Sequence, residues 1–469
     1  MTASNWKGDF PCLIQPGSTI RHGDLSLTFP ELGRRVGNRV NCLMGQGLAS
    51  GQVVMAPDAP VMDLVVLMFA LARIGAALFP FRSGLDRDGT RSLASLVGAE
   101  WYWHPDSEQL GRTPFAAPGD ASAASPIGLL IKTSGSGGKP RVVMLSFESL
   151  LASASRVNTR LGLTADDTWL ACLRFSHVGG VTIAYRCALA GARMWLHEGF
   201  DARAVRRDLD DGSVTHLSLV PPMLARLLDL DQRPPPALRV LLVGGQALSR
   251  PLAQRTVEAG WPLHVTYGMT ETGSQIATTG RLQGRDLDPA RVGDLMPDIR
   301  VAAGGCEASP APLRIRGPVL MAGYANPRRR PGDGLEQGWF RSADLGCEEP
   351  DGGLRILGRA DDVLVIGGRN VSLSQINAAL QEAPGVREIQ LVGLADPVWG
   401  HRLTAVFAGD CDEGELALWC RGHLRGAECP RAFRRLECLP VLDSGKYDRV
   451  RIAALAEASV ERAGLKNDS

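Results

Sequence analysis

The stretch Thr133 to Arg141, reading TSGSGGKPR, gathers three glycines, two serines, a threonine and a lysine between two strand-like runs, Ile127 to Lys132 and Val142 to Leu145. Glycines let backbone N–H groups curl around an anion, and hydroxyls add further donors. Thr133, Ser134, Gly135, Ser136, Gly137, Gly138 and Lys139 therefore form a candidate cradle for a polyphosphate. The loop is not a Walker A motif, in which GK[ST] opens a helix, because Pro140 follows Lys139 and a strand follows the loop. Taken alone it also reads as a flexible hairpin or linker. Lysine is scarce here: it occupies only positions 7, 132, 139, 446 and 466 of a chain with 51 basic residues. Where charge alone serves, this sequence supplies arginine. A lysine inside a glycine-flanked motif, as at Lys139 and Lys446, thus points to a need for a compact ammonium donor.

Such a loop needs a scaffold. Over most of the first 350 residues, apolar runs bounded by turn residues alternate with helix-like stretches. The runs include Gly51 to Met55, Ala76 to Phe81, Thr168 to Leu173, Ala192 to Leu196, Val214 to Val220 and Leu238 to Val243; the helices include Val61 to Ile74, Ser146 to Leu161 and Pro222 to Leu230. This alternation argues an α/β fold with largely buried strands. Gly358-Arg359-Ala360-Asp361 then precedes a Gly-Gly turn and a compact stretch of about 100 residues, so we expect a large N-terminal domain over 1–359 and a small α+β domain over 360–469.

With 469 residues, 45% apolar content and a net charge of +1, the chain can bury a large core and lacks the basic stripe of a nucleic-acid binder. The most apolar run, Val61 to Phe81, is broken by Asp63, Arg73 and Pro80 and reads as a buried helix leading into a strand, so no membrane span is expected. Asp9 and Pro11 near the start, without a basic stretch leading into an apolar block, argue against a secretion signal, and the expected location is the cytoplasm. The ten cysteines form no CxxC; Cys411, Cys420, Cys429 and Cys438 recur every nine residues, a step that on a helix would turn neighbours to opposite sides, so they are not expected to bind metal.

The loop resembles the phosphate-binding motif of the adenylate-forming superfamily of acyl-CoA synthetases, luciferases and peptide-synthetase adenylation domains. Further motifs follow in that family's order: YGMTE (Tyr267 to Glu271), GWFRSADLG (Gly338 to Gly346), GRADDVLVIGG (Gly358 to Gly368) and SGKYDR (Ser444 to Arg449). The resemblance implies an enzyme that takes a small-molecule carboxylic acid, ATP and Mg2+, forms an acyl adenylate and hands the acyl group to coenzyme A. It implies that Tyr267, Gly268 and Met269, with Gly245 and Gln246, hold the adenine, that Asp344 and Arg359 hold the ribose, and that Thr270 reaches a phosphate. Glu271, an oxygen ligand, suits magnesium. Lys446 would bridge the two anions that must meet when a carboxylate attacks the α-phosphate. Asp361 matches the family's hinge, and Gly367 and Gly368 match the turn lining its pantetheine tunnel. His177, in FSHVGG, resembles a gate or wall of the acyl pocket, with Arg174, Val178, Gly179 and Ser274 as further walls; Arg174 would pair either with a second substrate carboxylate or within the protein.

This sequence departs from the family at Gly137, where a hydroxyl residue is usual, at Arg141 in place of lysine, at Val142 in place of glycine, and at LSQIN (Leu373 to Asn377). Within the superfamily, its short length and the stretches LAGARM, LVPPMLARLL and VLLVGGQAL are most similar to the o-succinylbenzoate-CoA ligases of menaquinone biosynthesis. Two other readings stand beside a CoA ligase: an enzyme that loads an acyl carrier protein, and a non-catalytic adenylate-binding protein. The presence of Lys446, Asp344, Glu271 and Arg359 together disfavours the second. A homodimer is left open.

Overall fold

The helix Val61–Ile74 is apolar on every side, and eleven of its fourteen residues are buried. Its one acid, Asp63, is satisfied by Arg39 Nη1 at 2.9 Å and Trp103 Nε1 at 2.7 Å, which is how a carboxylate survives inside such a helix. Gly75 ends it in the left-handed region at φ 77°. The chain then enters the fully buried strand Ala77–Phe81, as the sequence led us to expect. The computed structural model describes residues 15, 17–115, 126–133, 140–230, 233–284, 287–303, 310–326 and 329–467.

Two large sheets organise the first 359 residues. One has seven strands and includes Val53–Pro57 and Ala77–Phe81, which are parallel, and the antiparallel hairpin Ile127–Thr133 with Arg141–Ser146. The other is a fourteen-stranded sheet whose parallel half runs through Arg193–Leu196, Thr168–Ala171, His216–Leu219, Val240–Val243 and Leu263–Met269. It continues as an antiparallel half through Ser274–Thr278, Arg291–Leu295, Gly353–Arg359 and Trp339–Glu348. The parallel strands are buried on both faces, as the uninterrupted apolar runs required. Each expected strand is present: those at Ala77–Phe81, Thr168–Ala171, Arg193–Leu196, His216–Leu219 and Val240–Val243 are one to three residues shorter than expected, Val53–Pro57 is shifted by two residues, and Ile127–Thr133 and Arg141–Ser146 are longer by one and two.

The C-terminal portion carries the hairpin Val363–Ile366 with Arg369–Ser372 and a three-stranded sheet of Val386–Asp396, Gly400–Gly409 and Ala432–Leu436. Its helices are Leu373–Leu380, Glu413–His423 and Arg449–Asn467. It has its own apolar core, in which Cys411, Cys420 and Cys429 all take part. The helical-rotation argument for these cysteines does not hold, since only Cys420 lies on a helix and the chain reverses on either side of it. No helix among the described residues is long and apolar enough to cross a membrane.

Candidate active site

The residues expected to bind a nucleotide converge where the two halves of the fourteen-stranded sheet meet. The strand Leu263–Met269 delivers Tyr267, and a register shift between Tyr267 and Gly268 turns the chain towards the short helix Thr270–Thr272. Only glycine fits at 268: a Cβ there would sit 2.1 Å from the Ser274 carbonyl oxygen. Tyr267 donates its hydroxyl proton to Asp344 Oδ2 at 2.6 Å, and Arg359 Nη1 donates to Asp344 Oδ1 at 3.0 Å. Antiparallel pairing of Trp339–Glu348 with Gly353–Arg359 sets Asp344 directly opposite Arg359. The remaining guanidinium donors of Arg359 fork onto Asp361, at 2.7 and 2.8 Å, so one arginine ties the expected ribose carboxylate to the expected hinge. Those bonds hold Asp361 below the usual carboxylate range. Burial, then the charge of Asp344, pushes the Tyr267 phenol well above its ordinary value, so it remains a donor.

Glu271 lies at the base of the glycine-rich loop. The Tyr324 hydroxyl donates to Glu271 Oε1 at 3.0 Å, and Arg141 reaches the same hydroxyl at 3.4 Å with its guanidinium 4.9 Å over the Tyr324 ring. Asn326 closes the loop's base by accepting from the Val142 N–H at 2.8 Å and donating to the Pro140 carbonyl at 2.9 Å. Thr133 and Arg141 are paired across the hairpin, so the loop joins strand to strand. Ser134, Gly135, Ser136, Gly137, Gly138 and Lys139 lie outside the described residues. Burial raises the Glu271 carboxyl's affinity for its proton, against the Tyr324 hydrogen bond, which favours the charged form. A half-buried carboxylate of this kind gains from a cation beside it, which fits a magnesium ligand.

Lys446 reaches this cleft from the C-terminal portion. It sits on a tight hairpin closed by the Val441 to Tyr447 bridge, with Leu442 N–H donating to the Lys446 carbonyl at 2.7 Å and Gly445 N–H to the Leu442 carbonyl at 2.8 Å. Its ammonium stands over Gly245, where a Cβ would lie 3.7 Å from Nζ, and Gly245 adopts φ 77°. Lys446 keeps accessible surface because the cleft is open, yet protein encloses it on most sides. That enclosure, followed by the Arg359 cation, lowers its pKa, while Asp344 and Glu271 oppose the shift. The Gln246 side-chain oxygen, one residue on, is buried without a hydrogen-bond donor among the described residues, so it is free to accept from a ligand.

His177 caps the helix Val178–Ala190 from a non-helical φ of −119°. Gly180 must be glycine, since a Cβ would lie 2.3 Å from the Arg174 carbonyl oxygen, and this tight turn aims His177 at the cleft, where it feels the charge of Lys446. His177 keeps accessible surface at the open cleft, yet the protein around it, then that cation, lowers its pKa and favours the neutral imidazole. Val178 and Gly179 are half-buried beside it. Arg174 is used within the protein: its Nη1 lies 3.3 Å from Oδ1 of the buried Asp58, which also accepts from Ser176 Oγ at 2.7 Å. Gly367 and Gly368 form a two-residue hairpin turn, both at positive φ, and Gly367 packs on Trp399.

The sequence reading missed Arg186. It is fully buried on the helix Val178–Ala190, donates to Ser274 Oγ at 2.6 Å and to Thr182 Oγ1 at 3.2 Å, and leaves Nε without an acceptor. It has no carboxylate partner among the described residues, and burial pulls its pKa down to about 10. Ser274, a non-glycine residue at φ 149°, is held in this strained place by that bond. An arginine in the middle of VGGVTIAYRCALA was the signal available in the sequence. Tyr324, in contrast, gave no sign of its bond to Glu271, which spans 53 residues.

Residues 101–325 match the model of the AMP-binding enzyme family, and residues 375–446 match the AMP-binding enzyme C-terminal domain. The chain is 33% identical to a 2-succinylbenzoate--CoA ligase of Bacillus licheniformis, over 96% of this chain and 100% of that one. Its fold is similar to o-succinylbenzoate CoA synthetase from Bacillus subtilis in complex with the acyl-adenylate intermediate, with a TM-score of 0.81 at 24% identity, covering 95% of this chain and 98% of that one. The same synthetase in complex with ATP and magnesium ion matches with a TM-score of 0.79 at 24% identity, over 94% of this chain and 98% of the other. Two matched domain models in order, and one relative aligned from end to end, make this chain a member of the AMP-binding enzyme family.

Proposed function

We propose that this protein is an ATP-dependent acid–CoA ligase whose acid is o-succinylbenzoate: acid and ATP give acyl-AMP and pyrophosphate, and the CoA thiol then displaces AMP. The observation that carries the reading is Lys446, delivered on a rigid hairpin over Gly245 and within the electrostatic reach of Asp344, Glu271 and His177. A cation there offsets the repulsion as the attacking carboxylate nears the α-phosphate, and in an enclosed site it does so far better than in water. Tyr267 stacks on the adenine, Gln246 accepts from it, and Asp344, pinned by Tyr267 and Arg359, takes the ribose hydroxyls. Thr270 and the loop Thr133 to Lys139 hold the phosphates. Magnesium at Glu271, when bound, neutralises phosphate charge. Neutral His177 walls the acyl pocket and excludes water.

The relatives act on succinylbenzoate, which carries two carboxylates, and Arg186 supports the same substrate here. By donating to Ser274 Oγ it leaves that hydroxyl's proton to point outward, a donor with a full positive charge behind it for the carboxylate that does not react. Support for CoA comes from the Gly367-Gly368 turn and the exposed apolar surface beside it, Val365, Val398 and Trp399, which is 58% exposed. We take residues 1–359 and 360–469 as the two domains, with Asp361 as the hinge between successive steps. The cytoplasm is the expected location, since both ATP and CoA are abundant there. The test is to supply o-succinylbenzoate, ATP and magnesium with either CoA or a phosphopantetheinylated carrier protein and to follow AMP release. Release stimulated by the carrier alone would replace the CoA reading, and no release with either would refute the activity.

A further inference from the structure

Lys446 can act only while its hairpin stands in the cleft, so contacts that hold the hairpin there favour the first step. From its own side the hairpin is anchored by Glu388, which accepts from Leu439 N–H at 3.2 Å and from the Tyr447 hydroxyl at 3.3 Å. From the opposite side, the side chain of Arg82 forms an ion pair with Asp443, three residues before the lysine. Arg82 directly follows the buried strand Ala77–Phe81, and its neighbour Ser83 is fixed by two 2.9 Å bonds to the buried Asp58. Asp58 in turn binds Ser176 and Arg174, which lie one and three residues before His177. The arginine's root is therefore rigid, while its head lies at the surface, 65% exposed.

We propose that Arg82 is a positioning residue: by pairing with Asp443 it latches the lysine hairpin into the cleft for adenylation, and it lets go when the hairpin leaves. The inference rests on the two-step reaction proposed above. An exposed pair suits this task because it is weak enough to break in every turnover. A buried pair would trap the enzyme in one state. Both partners lie outside the groups that touch nucleotide or acid, so their loss changes the occupancy of the inserted state and leaves the chemistry within that state intact.

The test compares wild type with Arg82→Glu, Asp443→Arg and the double variant that swaps the charges. Each single variant should slow acid-dependent pyrophosphate release about three- to tenfold, the range of an exposed pair turned repulsive, while CoA-dependent consumption of supplied acyl adenylate stays within twofold or rises. The swap should return pyrophosphate release to within twofold of wild type. Independently of activity, amide hydrogen exchange in the segment 440–448 of the ligand-free protein should quicken in the single variants and recover in the swap. Equal losses in both half-reactions, a swap as slow as the single variants, or unchanged exchange would overturn the latch. A wild type without acid-dependent pyrophosphate release would refute the proposed function instead, and the exchange measurement would still decide the latch.

Discussion

Gly445 is where the lysine hairpin meets the N-terminal portion, and a single added methyl group there separates two costs. The residue lies at φ 78°, and a Cβ would fall 2.3 Å from Met223 Cε, 2.8 Å from Val220 Cγ2 and 3.1 Å from Met223 Cγ. The left-handed backbone costs alanine about 1–2 kcal/mol wherever the hairpin is, because the turn is closed by its own hydrogen bonds. The collision is felt only when the hairpin is inserted. Met223 can swing its end away but Val220 is stiff at its branched carbon, so overpacking adds about 1–3 kcal/mol and lowers the inserted fraction about 5- to 150-fold. Gly445→Ala should therefore slow acid-dependent pyrophosphate release by such a factor and leave the reaction of supplied acyl adenylate with CoA nearly unchanged. Adding Met223→Ala removes two of the three colliding atoms and should restore part of the rate, with Met223→Ala alone as the control for lost packing. Equal slowing of both half-reactions, or no rescue in a folded double variant, would refute the reasoning.

Tyr324→Phe removes the donor to Glu271 and should raise the magnesium concentration for half-maximal pyrophosphate release about 10- to 100-fold with little change in the KM of the acid, measured by magnesium titration. Arg186→Met should raise the KM for o-succinylbenzoate more than tenfold while leaving a monocarboxylic benzoate unaffected; equal effects on both acids would remove Arg186 from recognition. His216 is buried, and burial lowers its pKa to about 4 from 6.5, against the pull of Asp167. The unfolded chain thus binds a proton that the folded protein refuses between those values. Stability should fall by about 3 kcal/mol as pH drops from 6.5 towards 4, and His216→Phe should flatten that slope in urea titrations.

Much of the fold was legible because apolar period and turn residues are local. Val61–Ile74 was read to the residue, the strand Val240–Val243 falls within the expected run Leu238 to Val243, and the strands Ile127–Thr133 and Arg141–Ser146 lie where the apolar runs put them. The site was legible only as types in order. Asp344 and Arg359 were linked only through the family resemblance, and the structure gives the reason: antiparallel pairing sets them opposite each other. Arg174 could not be assigned from spacing, since its partner Asp58 lies 116 residues away. The bonds from Tyr324 to Glu271 and from Arg82 to Asp443 arise from how whole elements pack, and no local pattern encodes them. Arg186 was visible as a charge within an apolar helix, but its role depends on the strained Ser274 it supports.

The central claim is that Lys446 drives attack of a carboxylate on the α-phosphate of ATP. Its most direct test measures pyrophosphate and AMP formed from o-succinylbenzoate, ATP, magnesium and CoA by wild type and by Lys446→Ala. The account predicts one AMP per thioester in the wild type and pyrophosphate release slower by about 10²- to 10³-fold in the variant, with ATP binding changed only several-fold. Unchanged release in Lys446→Ala, or ADP and phosphate in place of AMP and pyrophosphate, would contradict it.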